Sequence, residues 1–143
     1  MDRIAIDTNV FVSALLNQNG APRDVLRLAL RRDVQPVFSA ALFAEYEDVL
    51  ARKSLFARSP LDASEREVLF DALLSVSEWV RIHFLWRPNL PDEADNHVIE
   101  LAVASAAKAL ITANLADFTR AELLFPGLRI CDAGTYLKER KPA

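Results

Sequence analysis

Hydrophobic positions along the chain switch repeatedly between a strand-like and a helix-like spacing. Residues 3–6 (RIAI) read as a short buried strand, broken by the polar triplet Asp7-Thr8-Asn9 before an apolar stretch over residues 10–16. Residues 21–32 then carry a helical pattern, with Pro22 in the first turn and Val25, Leu26, Leu28, Ala29 and Leu30 on the buried side. Residues 35–38 form a second strand. Ser39 is placed to cap a helix over residues 40–52, and Asp62 or Ser64 opens another that runs to about residue 76.

The second half repeats the theme. Residues 78–84 alternate as a third strand, with Trp79, Arg81 and His83 set against Val80, Ile82 and Phe84, and residues 88–91 form a proline-bounded loop. Asp92 begins a long helix to about residue 108. Residues 109–112 form a fourth strand, residues 115–125 hold a short helix, residues 129–131 form a fifth strand, and Asp132 caps a last helix. Strands separated by helices imply an α/β fold, a central and mostly parallel sheet of about five strands with helices on both faces.

Composition narrows the picture without changing it. A chain of 143 residues, 52% hydrophobic, is the size of one domain, and no repeat or linker divides residues 1–143. No apolar run reaches the ~18 residues a membrane helix needs, and the start of the chain leads directly into a strand, so a cytoplasmic location is expected. The single cysteine, Cys131, has no partner for a disulfide and reads as strand packing. With 20 acidic and 17 basic residues the net charge is −3, so any contact with nucleic acid must be local. Arg31-Arg32, Arg52-Lys53-Arg58 and Lys138, Arg140 and Lys141 are the candidate patches, although such groups also serve simply to solvate helix ends.

Acidic residues concentrate where an open parallel sheet places its ligands, just beyond the carboxyl ends of the strands. Asp7 follows the first strand, and the fourth delivers Thr112, Asn114 and Asp117. Glu45 lies in the helix after the second strand, and Asp92 and Asp95 open the helix leading to the fourth. Carboxylates brought together repel and raise one another's pKa, so a cluster of them calls for a positive charge in its midst. Mg²⁺ or Mn²⁺ suits oxygen donors without a cysteine or histidine cluster, and such an ion can activate water against a phosphodiester.

Each position also has a plainer reading. Asp7 could be a turn residue, although burying it behind an apolar strand without a partner is costly. Asp92 and Asp95 have the spacing of a capping box, which leaves room for Asp92 to cap while Asp95 points inward. Glu45 lies about 40° from Val49 at one border of an apolar stripe, and Glu47 borders the other side near Phe43, so helix geometry does not choose between them. Asn9 and Thr112 could orient a ligand or a water, or simply shape a turn.

At these residues the sequence resembles the PIN-domain family, and especially the bacterial members that are toxins of toxin–antitoxin pairs. IAIDTNVFVSALL looks like the family's first motif, whose aspartate is a metal ligand, which points to Asp7 with Asn9 beside it. VFSAALFAEYEDVL is similar to the stretch carrying the second acid and matches at Glu45, not Glu47. PDEADNHVIELAVASAAKALITANLADF looks like the third and fourth motifs, with Asp95 as the acid that opens the long helix and Asp92 as an extra aspartate. Many relatives have an aspartate two residues after the strand threonine. Here Asn114 stands there, and Asp117 comes three residues later.

The resemblance implies a three-layer PIN fold and a Mg²⁺- or Mn²⁺-dependent endoribonuclease, with a homodimer and a cognate antitoxin as partners. Asp7, Glu45, Asp95 and Asp117 would be catalytic, with Asp92 an additional metal ligand and Asn9, Thr112 and Asn114 orienting groups. The alternatives are a catalytically weak PIN-fold module that binds RNA or protein, and a haloacid-dehalogenase-like phosphatase. The phosphatase usually needs a second aspartate two residues after the first, where this chain has Asn9.

Overall fold

A computed structural model of the protein describes residues 1–82, 96–118 and 125–140, with the backbone alone at residue 96. Five strands, β1 (Asp2–Ile6), β2 (Val34–Phe38), β3 (Glu78–Trp79), β4 (Ala109–Ile111) and β5 (Arg129–Cys131), form one sheet in the order β3-β2-β1-β4-β5. Every neighbouring pair is parallel. The expected α/β architecture with a parallel central sheet is therefore the one observed.

Among the described residues six α-helices connect or flank the strands: α1 (Thr8–Leu16), α2 (Ala21–Leu30), α3 (Ala40–Leu50), α4 (Ala63–Ser75), α5 (Asn96–Ala104) and α6 (Ala133–Glu139). The chain steps outward from β1 to β2 to β3, then crosses back to β4 and β5. Because crossovers between parallel strands are right-handed, this reversal carries the helices to both faces of the sheet. Helix α5 packs against β1, β2 and β4, while α2 packs on β2 and α6. Ile4, Ala5, Leu110 and Ile111, at the centre of the sheet, are fully buried. Cys131 is likewise buried in β5, as its packing role predicts.

Several boundaries differ from the sequence reading for identifiable reasons. No three-residue loop follows β1: Asp7 alone makes the turn, and Thr8 is already helical. Ser39 caps α3 through Leu42 N–H at 3.2 Å. Asp62, not Ser64, opens α4 in a reciprocal capping box with Glu65. The third strand is only two residues long within the described chain. Beyond it Val80 N–H still donates to Phe38 C=O at 2.8 Å, but residues 81 and 82 leave the ladder and residues 83 and 84 lie outside the described chain. Helix α5 stops at Ala104, well before residue 108, as Ala106 takes a left-handed φ of 54° and turns the chain into β4. Leu115–Phe118, the described part of the helix expected over residues 115–125, is a 3-10 turn, and residues 119–124 lie outside the described residues.

Candidate active site

The carboxyl ends of β1 and β4 meet where the strand order reverses, the place at which open parallel sheets bind ligands. Ile6 pairs with Ile111 in register, so the next residues outward are Asp7 and Thr112. Asp7 N–H continues the ladder, donating to Ile111 C=O at 2.9 Å, and its extended backbone (φ −62°, ψ 148°) hands the chain to α1.

Three donors converge on the Asp7 carboxylate. Thr8 N–H donates to Oδ1 at 2.9 Å, the Thr112 hydroxyl to Oδ2 at 2.8 Å, and the Asn9 amide to Oδ2 at 3.2 Å. Thr112 Oγ1 also accepts from Asn114 N–H, and Asn9 Oδ1 from Ala113 N–H, both at 3.1 Å. The triplet after β1 is thus laced to the triplet after β4. The contacts that shape the turn also fix the Asp7 carboxylate.

The electrostatics bear the mark of an enclosed acid. Asp7 is only 3% exposed, and burial pushes its carboxyl above the ordinary value. The Thr112 hydroxyl opposes that rise, the Glu45 charge adds to it, and Thr8 N–H and His97 oppose it again.

Glu45 comes from α3. Of the two acids that border its apolar stripe, Glu45 is half-buried and close enough for its charge to act on Asp7, whereas Glu47 is exposed beside Arg66 and Phe70 in a groove between α3 and α4. The neighbouring Tyr46 is fully buried, and its hydroxyl donates to Ile6 C=O at 2.7 Å, tying α3 to the residue before Asp7. Burial holds the Tyr46 phenol well above its usual pKa, with Asp7 and Glu45 adding to the effect, so it remains a hydrogen-bond donor.

Two contributors were not singled out in the sequence. Tyr46 is one. The other is His97 on α5, whose Nε2 stands 2.7 Å from Glu45 Oε2. The available signal was a polar residue on the inward side of an apolar helix: His97, Glu100 and Leu101 share one face, and the last two are buried.

The remaining predicted residues are less engaged. Asn114 is exposed, held through its backbone, and its C=O accepts from Asp117 N–H at 3.1 Å. Asp117 occupies the third position of the 3-10 turn and is not its cap, and among the described residues its carboxylate makes no hydrogen bond or ion pair. Asp92 and Asp95 lie outside the described residues. Among the described residues no three histidine, cysteine, aspartate or glutamate side chains converge as a complete metal site. The basic pair Arg31-Arg32 directly precedes β2, and Arg140 follows α6 with its guanidinium on Asp33 C=O at 3.3 Å. Both therefore sit at the amino end of the sheet, opposite Asp7.

A sequence model of the PIN domain matches residues 3–116, a span that takes in Asp7, Glu45, Thr112 and Asn114 and stops one residue short of Asp117. No curated protein matches the chain. Among solved structures, one described as VapBC2 from Rickettsia felis bound to a DNA fragment from their promoter aligns over 90% of this chain and 96% of its own, with a TM-score of 0.58 and 15% identity. At that identity the likeness is one of fold. The matched model covers most of the sequence: the chain belongs to the PIN domain family.

Proposed function

We propose that residues 1–143 form one PIN domain that acts in the cytoplasm as a metal-dependent endoribonuclease, the toxin of a toxin–antitoxin pair. The observation that carries this reading is the Asp7 carboxylate, buried, fixed by three donors and set beside a second acid, Glu45, at the ligand-binding end of the sheet. Fixing two like charges together is costly without a cation. The donors fit a hard divalent ion: Glu45 Oε2 is buried with no hydrogen-bond partner, and all the acids offered are oxygen ligands.

Asp7 and Glu45, with Asp92 and Asp95 from the segment entering α5 and Asp117 from the turn after β4, would hold Mg²⁺ or Mn²⁺. When bound, such an ion would supply an acidified water and positive charge to offset the negative charge developing on the phosphodiester. The chain's own part is orientation. Thr112 and Asn9 aim Asp7, Asn9 locks the β4 loop across it, and Asn114 offers a neutral oxygen. The likeness to a VapBC2 complex supports an antitoxin partner, and the homodimer belongs to the same reading through the family resemblance; no helix among the described residues is long and apolar enough to cross a membrane.

Asp7→Asn is expected to abolish cleavage of a labelled RNA that the wild type cuts with Mn²⁺ and not with a chelator. A wild type that binds RNA without cutting it would favour the second reading, a PIN-fold binding module, for which the exposed, uncharged Asn114 speaks. Unchanged Mn²⁺-dependent cleavage in Asp7→Asn would sink the assignment of Asp7.

A further inference from the structure

The two acids at the site are held very differently. Asp7 is fixed by Thr8 and Asn9 at the start of α1 and by Thr112 just after β4. Glu45 has no hydrogen bond to its side chain among the described residues, and its Oε2 is buried. A glutamate side chain has rotatable bonds, and repulsion from Asp7 favours rotamers that turn it outward. Among the described residues the His97 imidazole on α5 opposes that rotation. Its Nε2 lies 2.7 Å from Oε2 and is not aligned as a hydrogen bond, while its Nδ1 is buried without one. Helices α3 and α5 pack together here, so the contact joins two rigid elements.

We propose that His97 is a positioning residue, holding the Glu45 carboxylate toward Asp7 so that both acids face one bound cation. This inference rests on the metal-dependent reading above and deepens it, because it names a non-acidic residue on which metal affinity depends. The opposing effects of Glu45 and His97 on the Asp7 carboxyl agree with all three lying together.

The test uses the full chain and Mn²⁺ alone, with affinity measured by calorimetry and by electron paramagnetic resonance for the wild type, His97→Ala and His97→Gln. Removing an outer-shell partner of a metal ligand typically costs 10–100-fold in affinity, so His97→Ala should weaken Mn²⁺ binding roughly tenfold or more. Glutamine, which places an amide nitrogen near the former Nε2, should restore most of it. The metal-free melting temperature of His97→Ala should stay within about 2 °C of the wild type, because the contact it removes is not a hydrogen bond. Wild-type affinity in His97→Ala, or equal losses in both variants, would overturn the proposal. So would a nitrogen hyperfine coupling on bound Mn²⁺ that His97→Ala removes, because His97 would then be a ligand. A wild type that fails to bind Mn²⁺ at all overturns the metal-dependent reading together with this one, an outcome distinct from a loss of the His97 effect alone.

Discussion

Thr112→Val tests the electrostatic picture of the site more directly than removing an acid. Valine nearly reproduces the shape of threonine, but in this fully buried position it deletes the hydroxyl that donates to Asp7 Oδ2 at 2.8 Å and accepts from Asn114 N–H at 3.1 Å. The Asn114 amide can turn to water, since that residue is exposed. The Asp7 carboxylate has no such recourse, and a hydrogen bond to a charged group contributes about 1.5–3 kcal/mol. A loss of ~2 kcal/mol at pH 7 in chelator, or roughly 4–8 °C in Tm for a chain of this length, is expected. The pH dependence fixes the cause. Asp7 has a raised folded pKa, so it contributes stability below its unfolded pKa that is lost as the pH rises through the folded value. Removing the hydroxyl that opposes this rise lifts the folded pKa further. The gap between Thr112→Val and wild type should therefore be widest near neutrality and narrow toward acid pH, as Asp7 takes up its proton and the lost bond becomes a neutral one worth about 1 kcal/mol. Urea unfolding of both proteins in chelator across that range is the assay. A gap that does not change with pH would show that packing, not the charge on Asp7, sets the cost.

Other outcomes follow from the same geometry. Glu45→Gln should lower Mn²⁺ affinity and RNA cleavage at least tenfold while Glu47→Gln leaves both near wild type, because only Glu45 faces Asp7; equal effects in calorimetry would reverse that choice. If Asp117 is a ligand, Asp117→Asn should weaken cleavage at low Mg²⁺ with little change in melting temperature, and full activity there would remove it from the site. Asn114→Asp, which adds a negative charge beside the β4 end, should tighten Mn²⁺ binding, and an unchanged calorimetric affinity would place residue 114 away from the ion.

Most of the fold was legible because its strands are short apolar runs and its helices carry cap residues with one buried stripe. Ser39, Asp62 and Asp132 all cap the helices that follow them. The misjudged boundaries share a cause. Sequence patterning cannot tell how few residues a turn needs, and one aspartate does after β1 what a three-residue loop was expected to do. Nor does alternation in residues 78–84 show where pairing stops, since an edge strand is bounded by its neighbour β2 and not by its own pattern. In the site, Asp7 and Thr112 were readable from their place after strands that pair in register. The pairing of Glu45 with His97 was not, because it depends on how α3 and α5 cross, and no spacing along one helix records the position of another.

The same distinction has a consequence for how the site works. Asp7 ends a strand, caps a helix and presents its carboxylate, and the contacts that perform the first two tasks also perform the third. The positive end of α1 and the Thr8 N–H favour its charge, while β4 supplies Thr112. This half of the site is assembled by folding itself, so substitutions in it should change stability and metal affinity together. Glu45 and His97 meet between helices, partly buried, without a hydrogen bond between them and outside any ladder of backbone bonds. Substitutions there should change affinity while leaving the metal-free protein nearly as stable as before. A cation bound at the site would then organise mainly the helical side, drawing α3 and α5 onto a strand-borne acid whose position folding has already set.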